Sequence, residues 1–509
     1  MLWQICFILL IIYYCVLRWK NRDIIKLSKQ LPFTNEYRCL PFIGHAWLFI
    51  RRGKDPMDTF KLLADVAQKR NGITSFWFGN NLYTILTDPF AAEKVLKTSL
   101  EKHELMQLAR PLIGNGSIFA PVFIWRPRRK VLAPTFGQKT LNNFVTVFYK
   151  QSVILVNKLQ SMAEKDKFSV FNYISTYSMD SICETTMGVN INAQSNTNHP
   201  VLKAFNGFCQ IYAARSVRPW LHSTAVYRWM PNYSTYLGHS QLLNNFVDKI
   251  VKTKSQEIKN GGNNNIQTGD DKKTRTFLEL LIESSRDNGY TDVELREETL
   301  VMVLAGTDTS AVGASFVLLL LARYPDIQDK VLQEIEQVCG HSDNPIRAEH
   351  LPSLKYFDAV IKETLRLYPP VPIIVRKMET PTVLPSGLTL VPGIGVVINI
   401  WGMHRNPAIW GPDADEFRPE RFIEDTLKHP AAYMPFSYGP RNCLGYQYAM
   451  MSMKTVLASV VRNFRILPAE DWELNSCKNK ANLEVKFEVM MKHADNFQIR
   501  LKKRTNEST

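Results

Sequence analysis

Residues 435–445 read Pro-Phe-Ser-Tyr-Gly-Pro-Arg-Asn-Cys-Leu-Gly, and Cys443 sits where its neighbours could make it a metal ligand. To hold iron it must be a thiolate, kept from water yet facing positive charge or amide donors. Gly439 lets the backbone turn through conformations closed to other residues, so that nearby amides can point at the sulfur. Arg441 can reach a carboxylate in the same pocket. Gly445 lets the following helix, Tyr446 to about Val460, begin hard against a flat ligand, and Phe436 can shield the sulfur. A free cysteine taken alone is more often a packing residue. The spacing has to decide.

A second constellation lies mid-chain. Thr291-Asp-Val-Glu294 has the capping-box pattern, predicting a helix from Asp292 to about Tyr324 that ends at Pro325 and spans roughly 50 Å. Its interior reads Ala305-Gly306-Thr307-Asp308-Thr309-Ser310, a run of poor helix formers whose side chains compete for the backbone. Such a run suits either tight helix packing or a local widening that admits O2 and water. Glu363-x-x-Arg366 is a helical i,i+3 pair, which in isolation is usually an exposed ion pair of little weight. His404 and His429 have no partner at metal-ligand spacing and read as core or surface residues.

Phe436-x-x-Gly439-x-Arg441-x-Cys443-x-Gly445 matches in full the FxxGxRxCxG loop of the cytochrome P450 superfamily, and the chain resembles that superfamily over about residues 30–504. The resemblance implies a single large haem-thiolate domain, mainly α with a small β region. It implies haem b with iron held by the Cys443 thiolate, whose electron donation favours O–O cleavage. Ala305-Gly306-x-Asp308-Thr309 matches the family's AGxDT pattern, making Asp308 and Thr309 an acid–alcohol proton relay. Trp125-Arg-Pro-Arg-Arg129 matches WxxxR, so Trp125 and Arg129 join Arg441 as ligands of the haem propionates, with Arg376 a fourth candidate after the strand-like Val371–Val375. Glu363 and Arg366, with Arg421 from Phe417-Arg-Pro-Glu-Arg421, resemble the family's structural Glu/Arg/Arg triad. Arg128, Lys130 and Lys454 form either a solvated face or a dock for an acidic electron donor.

Phe277-Leu-Glu-Leu-Leu-Ile-Glu-Ser-Ser, Leu295-Arg-Glu-Glu298 and His404-Arg-Asn-Pro407 resemble the clan of fatty-acid ω-hydroxylases and related insect enzymes. That clan often carries Glu before the oxygen-pocket glycine, where it can esterify the haem. Here the position is Ala305, so non-covalent haem is expected and terminal fatty-acid hydroxylation becomes a weaker inference. By analogy the substrate meets Leu112, Ile113, Phe119, Phe123, Leu304, Ala305, Val371 and Ile373, and the turn near Lys492–Asn496. That lining is apolar and suits a lipophilic fatty acid, terpenoid, hormone or xenobiotic. Electrons would come from NADPH through NADPH–cytochrome P450 reductase, with cytochrome b5 a further candidate partner, since the chain shows no nucleotide-binding GxGxxG unit. The rival activities are a haem-thiolate isomerase or dehydratase, which needs no proton relay, and a haem protein that only binds ligand.

Composition bounds the rest. The 509 residues carry 62 Lys+Arg against 47 Asp+Glu, a net +15, and are 45% hydrophobic. With 24 Gly and 27 Pro this is no collagenous or disordered chain, and its eight cysteines make neither a CxxC zinc module nor a small disulfide framework. The charge alone admits nucleic acid, an anionic membrane or an acidic protein. Leu2–Leu17, LWQICFILLIIYYCVL, is nearly free of polar groups and predicts a transmembrane anchor over 1–19, of roughly the ~27 Å thickness of an endoplasmic reticulum bilayer. Arg18, Lys20, Arg22, Lys26 and Lys29 would keep the body cytosolic, leaving the sequons at Asn115, Asn232 and Asn506 unmodified. A basic, proline-punctuated linker over 20–45, a monooxygenase domain over 46–504 and a tail over 505–509 complete the layout. Residues 260–273 read as a solvated loop, while 82–86 and 388–400 look strand-like. Pro219-Trp220-Leu221 and Trp229-Met230 are either core or dip into the membrane. The positive charge then divides between the membrane flank and a face for the reductase, with no role for nucleic acid.

Overall fold

In the computed structural model, Thr291 accepts a hydrogen bond from the Glu294 amide at 3.3 Å and the Glu294 carboxylate accepts one from the Thr291 amide at 3.0 Å. This reciprocal cap opens the helix Asp292–Arg323, the 32-residue spine of the molecule. The structure describes residues 2–504 apart from 32, 34–35, 197, 262–274, 285–289, 343, 425–426 and 471–480. The long helix is apolar enough to cross a bilayer, but 78% of its apolar 18-residue stretch is buried inside the protein. A helix apolar all round is stable only when other elements surround it. Helices Val170–Met187, Tyr233–Gly261, Lys355–Leu367 and Tyr446–Asn463 do so here.

Among the described residues four small sheets accompany the helices, so the mainly α architecture with a small β region is as expected. In the largest sheet, Ile73–Phe78 pairs antiparallel with Asn81–Leu86, which pairs parallel with Gly395–Asn399, which pairs antiparallel with Ile373–Lys377. Gly395 is required at this junction, because a Cβ there would lie 2.5 Å from the Tyr83 ring. The strand-like run 388–400 is two strands: Thr389–Leu390 pairs with Thr382–Val383, and a turn at Pro392-Gly393 separates it from Gly395–Asn399. Arg376 lies inside a strand, opposite Val396, and not after one. Near the C-terminus, Val485–Glu488 and Met490–His493 form a hairpin about Val489, whose φ of 72° is a region that a β-branched residue rarely enters.

Glu363, Arg366 and Arg421 come together in the core. Arg366 donates two bonds to Glu363 at 2.6 and 2.8 Å, with both side chains fully buried, and Arg421 donates to the same carboxylate at 3.3 Å. Arg366 also donates to the carbonyls of His404 and Ala414 at 2.6 Å. His404 is buried and accepts from the Met434 amide through Nε2 at 2.9 Å, so its Nδ1 carries the proton and donates to the Arg366 carbonyl at 3.0 Å. Through this chain the triad fixes the residue from which the cysteine loop departs. His429 is half-buried, 3.2 Å from Glu93.

The N-terminal segment departs from one expectation. A helix spans Leu2–Lys20, and a second, Arg22–Gln30, occupies the region read as linker. Leu27 is buried against the cluster around Leu82 and Ile398, and Ile24 packs on its edge, so this stretch docks on the body. Ile8, Leu9, Ile12, Val16 and Trp19 of the first helix are exposed. Residues 262–274, most of the proposed loop, and Asn506 lie outside the described residues.

Candidate active site

The cysteine loop turns twice through left-handed backbone, at Ser437 (φ 65°) and Gly439 (φ 77°). Gly439 is obligatory: a Cβ would meet the Leu96 carbonyl oxygen at 2.7 Å. The turn closes with the Cys443 amide donating to the Phe436 carbonyl at 2.9 Å and the Asn442 amide to Gly439 at 3.0 Å. Phe436 packs edge-on to Tyr446 at 4.7 Å, the first residue of the following helix. A Cβ on Gly445 would lie 4.0 Å from the Cys443 sulfur, so its absence leaves room beside that atom. Cys443 borders open space and is nonetheless enclosed by protein. Burial raises its thiol pKa, while the Gly445 N–H and the Arg129 charge pull it down. Arg129 is held by Asn442, donating to its backbone carbonyl at 3.0 Å and its side-chain oxygen at 2.8 Å.

Cations gather on this side, with Glu101 acting on Arg441. Arg441 is buried, lies 4.8 Å over the Trp125 ring, and donates to the carbonyls of Leu100, Ser117 and Ala120. Arg376 is fully buried, and its Nε and Nη2 find no partner among the described residues. Burial, and then the Arg441 charge, push Arg376 down to about 9. Half-buried Lys102 bridges to the Arg376 strand, and burial with the charges of Arg376 and Arg441 holds its pKa well below the usual range. Orphaned guanidinium nitrogens beside two further cations are what a ligand with two carboxylates would complete. With a sulfur facing open space, the set fits haem: Cys443 for the iron, and Arg376, Arg441, Lys102, Trp125 and Arg129 for the propionate edge. Lys102 carries no motif signal. Only its pairing with the Arg376 strand brings it there.

Across the long helix, Asp308 is buried and Thr309 half-buried. The helix assignment runs unbroken through 305–310. The Thr309 and Thr307 hydroxyls donate to the carbonyls of Ala305 and Val303, four residues back, at 2.5 and 2.7 Å. Gly306 serves close packing, since a Cβ would lie 2.6 Å from Ile182 Cδ1. Asp308 lies 3.3 Å from the Lys492 ammonium; burial raises its pKa and Lys492 opposes the rise.

Other expected positions are redistributed. Arg128 is not on a solvated face: it is buried and binds Glu294, Glu297 and Glu298 at 2.9–3.1 Å, because the capped start of the long helix turns its acids toward it. Lys454 is also buried, donating to the Leu351 carbonyl at 3.1 Å and pairing with Asp358 at 2.8 Å. Neither can dock a partner; Lys130 remains exposed. Of the substrate candidates, Phe119, Leu304, Ala305, Val371 and Ile373 are half-buried, while Leu112 and Ile113 are buried in the core. Phe123 is 77% exposed and lies outside any closed lining. Glu297 and Glu298, quoted only as clan markers, bind the amides of Asn115 and Ser117 at 3.0 Å and so fix the segment carrying Phe119.

The family profile described as Cytochrome P450 matches residues 36–492, and the chain belongs to that family: it is a haem-thiolate monooxygenase. Among curated relatives, it is 30% identical to cytochrome P450 4V2 of Homo sapiens, over 94% of this chain and 91% of that one. It is 31% identical to cytochrome P450 4c21 of Blattella germanica, over 91% of each chain. With cytochrome P450 4d2 of Drosophila melanogaster it shares 32% identity, over 85% of this chain and 88% of the other.

Proposed function

We propose that this protein inserts one atom of O2 into a lipophilic small molecule at the membrane, with electrons from NADPH delivered by NADPH–cytochrome P450 reductase and cytochrome b5 as a further donor. The observation that carries the reading is the pair of unpartnered Arg376 nitrogens, with Arg441 and Lys102 beside them, on the same side as Cys443. In this reading haem, when bound, supplies the activation of O2. Cys443 would hold its iron, with the Gly445 N–H and the Arg129 charge favouring the thiolate against burial. Gly439, Phe436 and Gly445 shape the loop, and Trp125, Arg129, Arg376 and Arg441 hold the carboxylate edge. Asp308 and Thr309 move protons from solvent to the reaction site. Thr309 already has its hydroxyl hydrogen on the Ala305 carbonyl, so turning about χ1 makes it a donor into the site. Ala305 has no carboxylate with which to tether the haem.

The organisation proposed is an anchor over 1–19, a helix-containing connector over 20–45, a catalytic domain over 46–504 and a tail over 505–509. The body faces the cytosol of the endoplasmic reticulum. Exposed Phe42, Trp220, Val226 and Trp229 support a second contact with lipid, and Trp229, 78% exposed, is not core. Pro219 and the Phe42 carbonyl both lie near Gly79, which puts two of these segments side by side. A cavity of about 570 Å³, lined by His103, Glu104, Arg110, Arg215, His222 and Thr224 among others, lies beside the second of these segments. The substrate class is a fatty acid, terpenoid, hormone or xenobiotic.

Reconstitution with reductase tests this reading. Product carrying one oxygen atom per NADPH and O2 consumed is expected, and its absence with every candidate lipophile would favour an isomerase, a dehydratase or simple haem binding. Acid-acetone extraction should release the haem intact.

A further inference from the structure

The cavity of about 570 Å³ beside the 219–229 segment shares no lining residue with the cysteine loop or the long helix. Two guanidiniums line it, Arg110 and Arg215, against one carboxylate, and that one, Glu104, is already paired with Lys377 at 2.6 Å. Arg215 is 4% exposed, and among the described residues no carboxylate pairs with it. Neutral groups fix it instead. Its Nε donates to the Leu221 carbonyl at 2.9 Å, its Nη2 to the His222 carbonyl at 3.1 Å, and the guanidinium lies 4.0 Å over the Tyr227 ring. None of these is an anion, and a buried charge without a counter-ion is costly. Arg110 is exposed, and its Nη2 donates to the Asn115 side-chain oxygen, again a neutral group, at 2.8 Å. The volume falls within the ~300–1,000 Å³ of small-molecule sites and far exceeds what a bare ion fills, so a fitting ligand brings polar bulk along with its charge. Tyr233 and Thr224 add hydroxyls to the lining. His222 turns its Nε2–H to the Ser216 carbonyl at 3.0 Å, which leaves Nδ1 of the neutral ring as an acceptor.

We propose that this cavity binds the phosphate-ester headgroup of a polyol, with Arg215 and Arg110 sharing the phosphate and Tyr233, Thr224 and His222 meeting the hydroxyls. Phosphate suits the pair better than carboxylate, because it offers oxygens to two guanidiniums at once. His222 and Thr224 belong to the same segment as exposed Trp220, Val226 and Trp229. The source this favours is a membrane phospholipid with an inositol headgroup, its chains lying across those apolar side chains, and that choice rests on the lipid contact proposed above. Such a lipid is a ligand held beside the catalytic site, not the molecule that is oxidised.

Calorimetric titration of the full-length holoenzyme in nonionic detergent, with glycerophosphoinositol and with inorganic phosphate, tests the cavity itself. Saturable binding of the ester is expected, with inorganic phosphate binding more weakly. Arg110→Met should weaken the ester about tenfold or more, as the loss of one bond between charged groups does. Arg215→Met should abolish binding, and haem content with the reduced-CO spectrum reports the fold of both variants. No saturable binding of the ester, or wild-type affinity in either folded variant, would overturn the site. Equal affinity for inorganic phosphate would overturn the headgroup. Flotation with phosphatidylcholine vesicles, with and without phosphatidylinositol, separates a lipid from a free ester. Phosphatidylinositol should tighten vesicle binding in the wild type and not in Arg110→Met; an equal gain in both would overturn the lipid source and leave the soluble ester as the ligand. Quenching of tryptophan fluorescence by brominated lipid that is unchanged in Trp229→Leu would overturn the lipid contact itself without touching the cavity.

Discussion

Arg376 and Arg441 are buried neighbours of like charge, and Arg376 keeps two nitrogens without a partner among the described residues. Unpaired cations in an interior are costly, so the arrangement is stable only when anions complete it. Arg376→Met should therefore cost the haem-free protein little or even stabilise it, while weakening haem retention. A lost charge-assisted bond of about 1.5–3 kcal/mol corresponds to roughly tenfold or more in affinity. Transfer of haem to a scavenger apoprotein measures it, and unchanged transfer would show that these nitrogens do not hold the propionates.

Cys443→Ser should preserve the fold, because the loop is closed by the Cys443 amide and by Gly439 and not by the thiol. The thiolate signature in the reduced-CO spectrum and turnover should both disappear. A variant that keeps the signature would mean that another residue holds the iron.

Removing Glu363 should be among the most damaging single changes. It leaves Arg366 and Arg421, both buried, without their shared carboxylate, at a cost of about 3–5 kcal/mol. Glu363→Ala is expected to accumulate as unfolded or haem-free protein, read by thermal unfolding and haem content in membranes.

Arg128 offers a pH-dependent counterpart. It is the cation shared by Glu294, Glu297 and Glu298, so Arg128→Met leaves three carboxylates at one helix end to repel each other. Burial already raises Glu298, and without Arg128 its pKa should rise further. The gap in melting temperature between variant and wild type should then narrow from pH 7.5 to 5.5, as protonation relieves the repulsion; a constant gap would argue that packing alone is lost.

Buried neutral histidines should make the fold acid-sensitive. Burial, then the Arg366 charge, push His404 down to about 3, and burial holds His103 and His493 near 4. Below the unfolded pKa of about 6.5 the unfolded chain binds protons that the folded one refuses. The stabilisation is full above that pH and falls on acidification toward the folded values, by about 1.4 kcal/mol per pH unit for each group. Urea midpoints at pH 7 and 5 should diverge less in His404→Gln than in the wild type.

How much of this could be read from the chain depended on how local each signal was. The capping box at Thr291, the turn at Gly439 and the strand at 82–86 are set by a few adjacent residues, and the structure has them. The proximity of Glu363, Arg366 and Arg421 followed from motif likeness, not from their own spacing. Arg128 reads as a solvated or docking cation because its partners lie about 170 residues away, and a run of basic residues gives no hint of acids packed from another helix. Lys102 carries no local signal for the same reason, and the pairing of Lys492 with the long helix is equally hidden in the chain: each depends on tertiary contact. The close packing at Gly306 comes from Ile182 on another helix, which the residues around Gly306 do not foretell.

The parallel pairing of Tyr83 with Gly395 has a consequence for biosynthesis. The early hairpin Ile73–Leu86 leaves the ribosome with one edge bare, and the strand that covers it follows more than three hundred residues later. At about 5–20 residues per second, that edge waits on the order of 15–60 s. During that interval it is a site for chaperone capture or for pairing with the wrong strand. Slowing translation between the two strands should lengthen this exposure and lower the yield of haem-loaded enzyme without any change in its sequence.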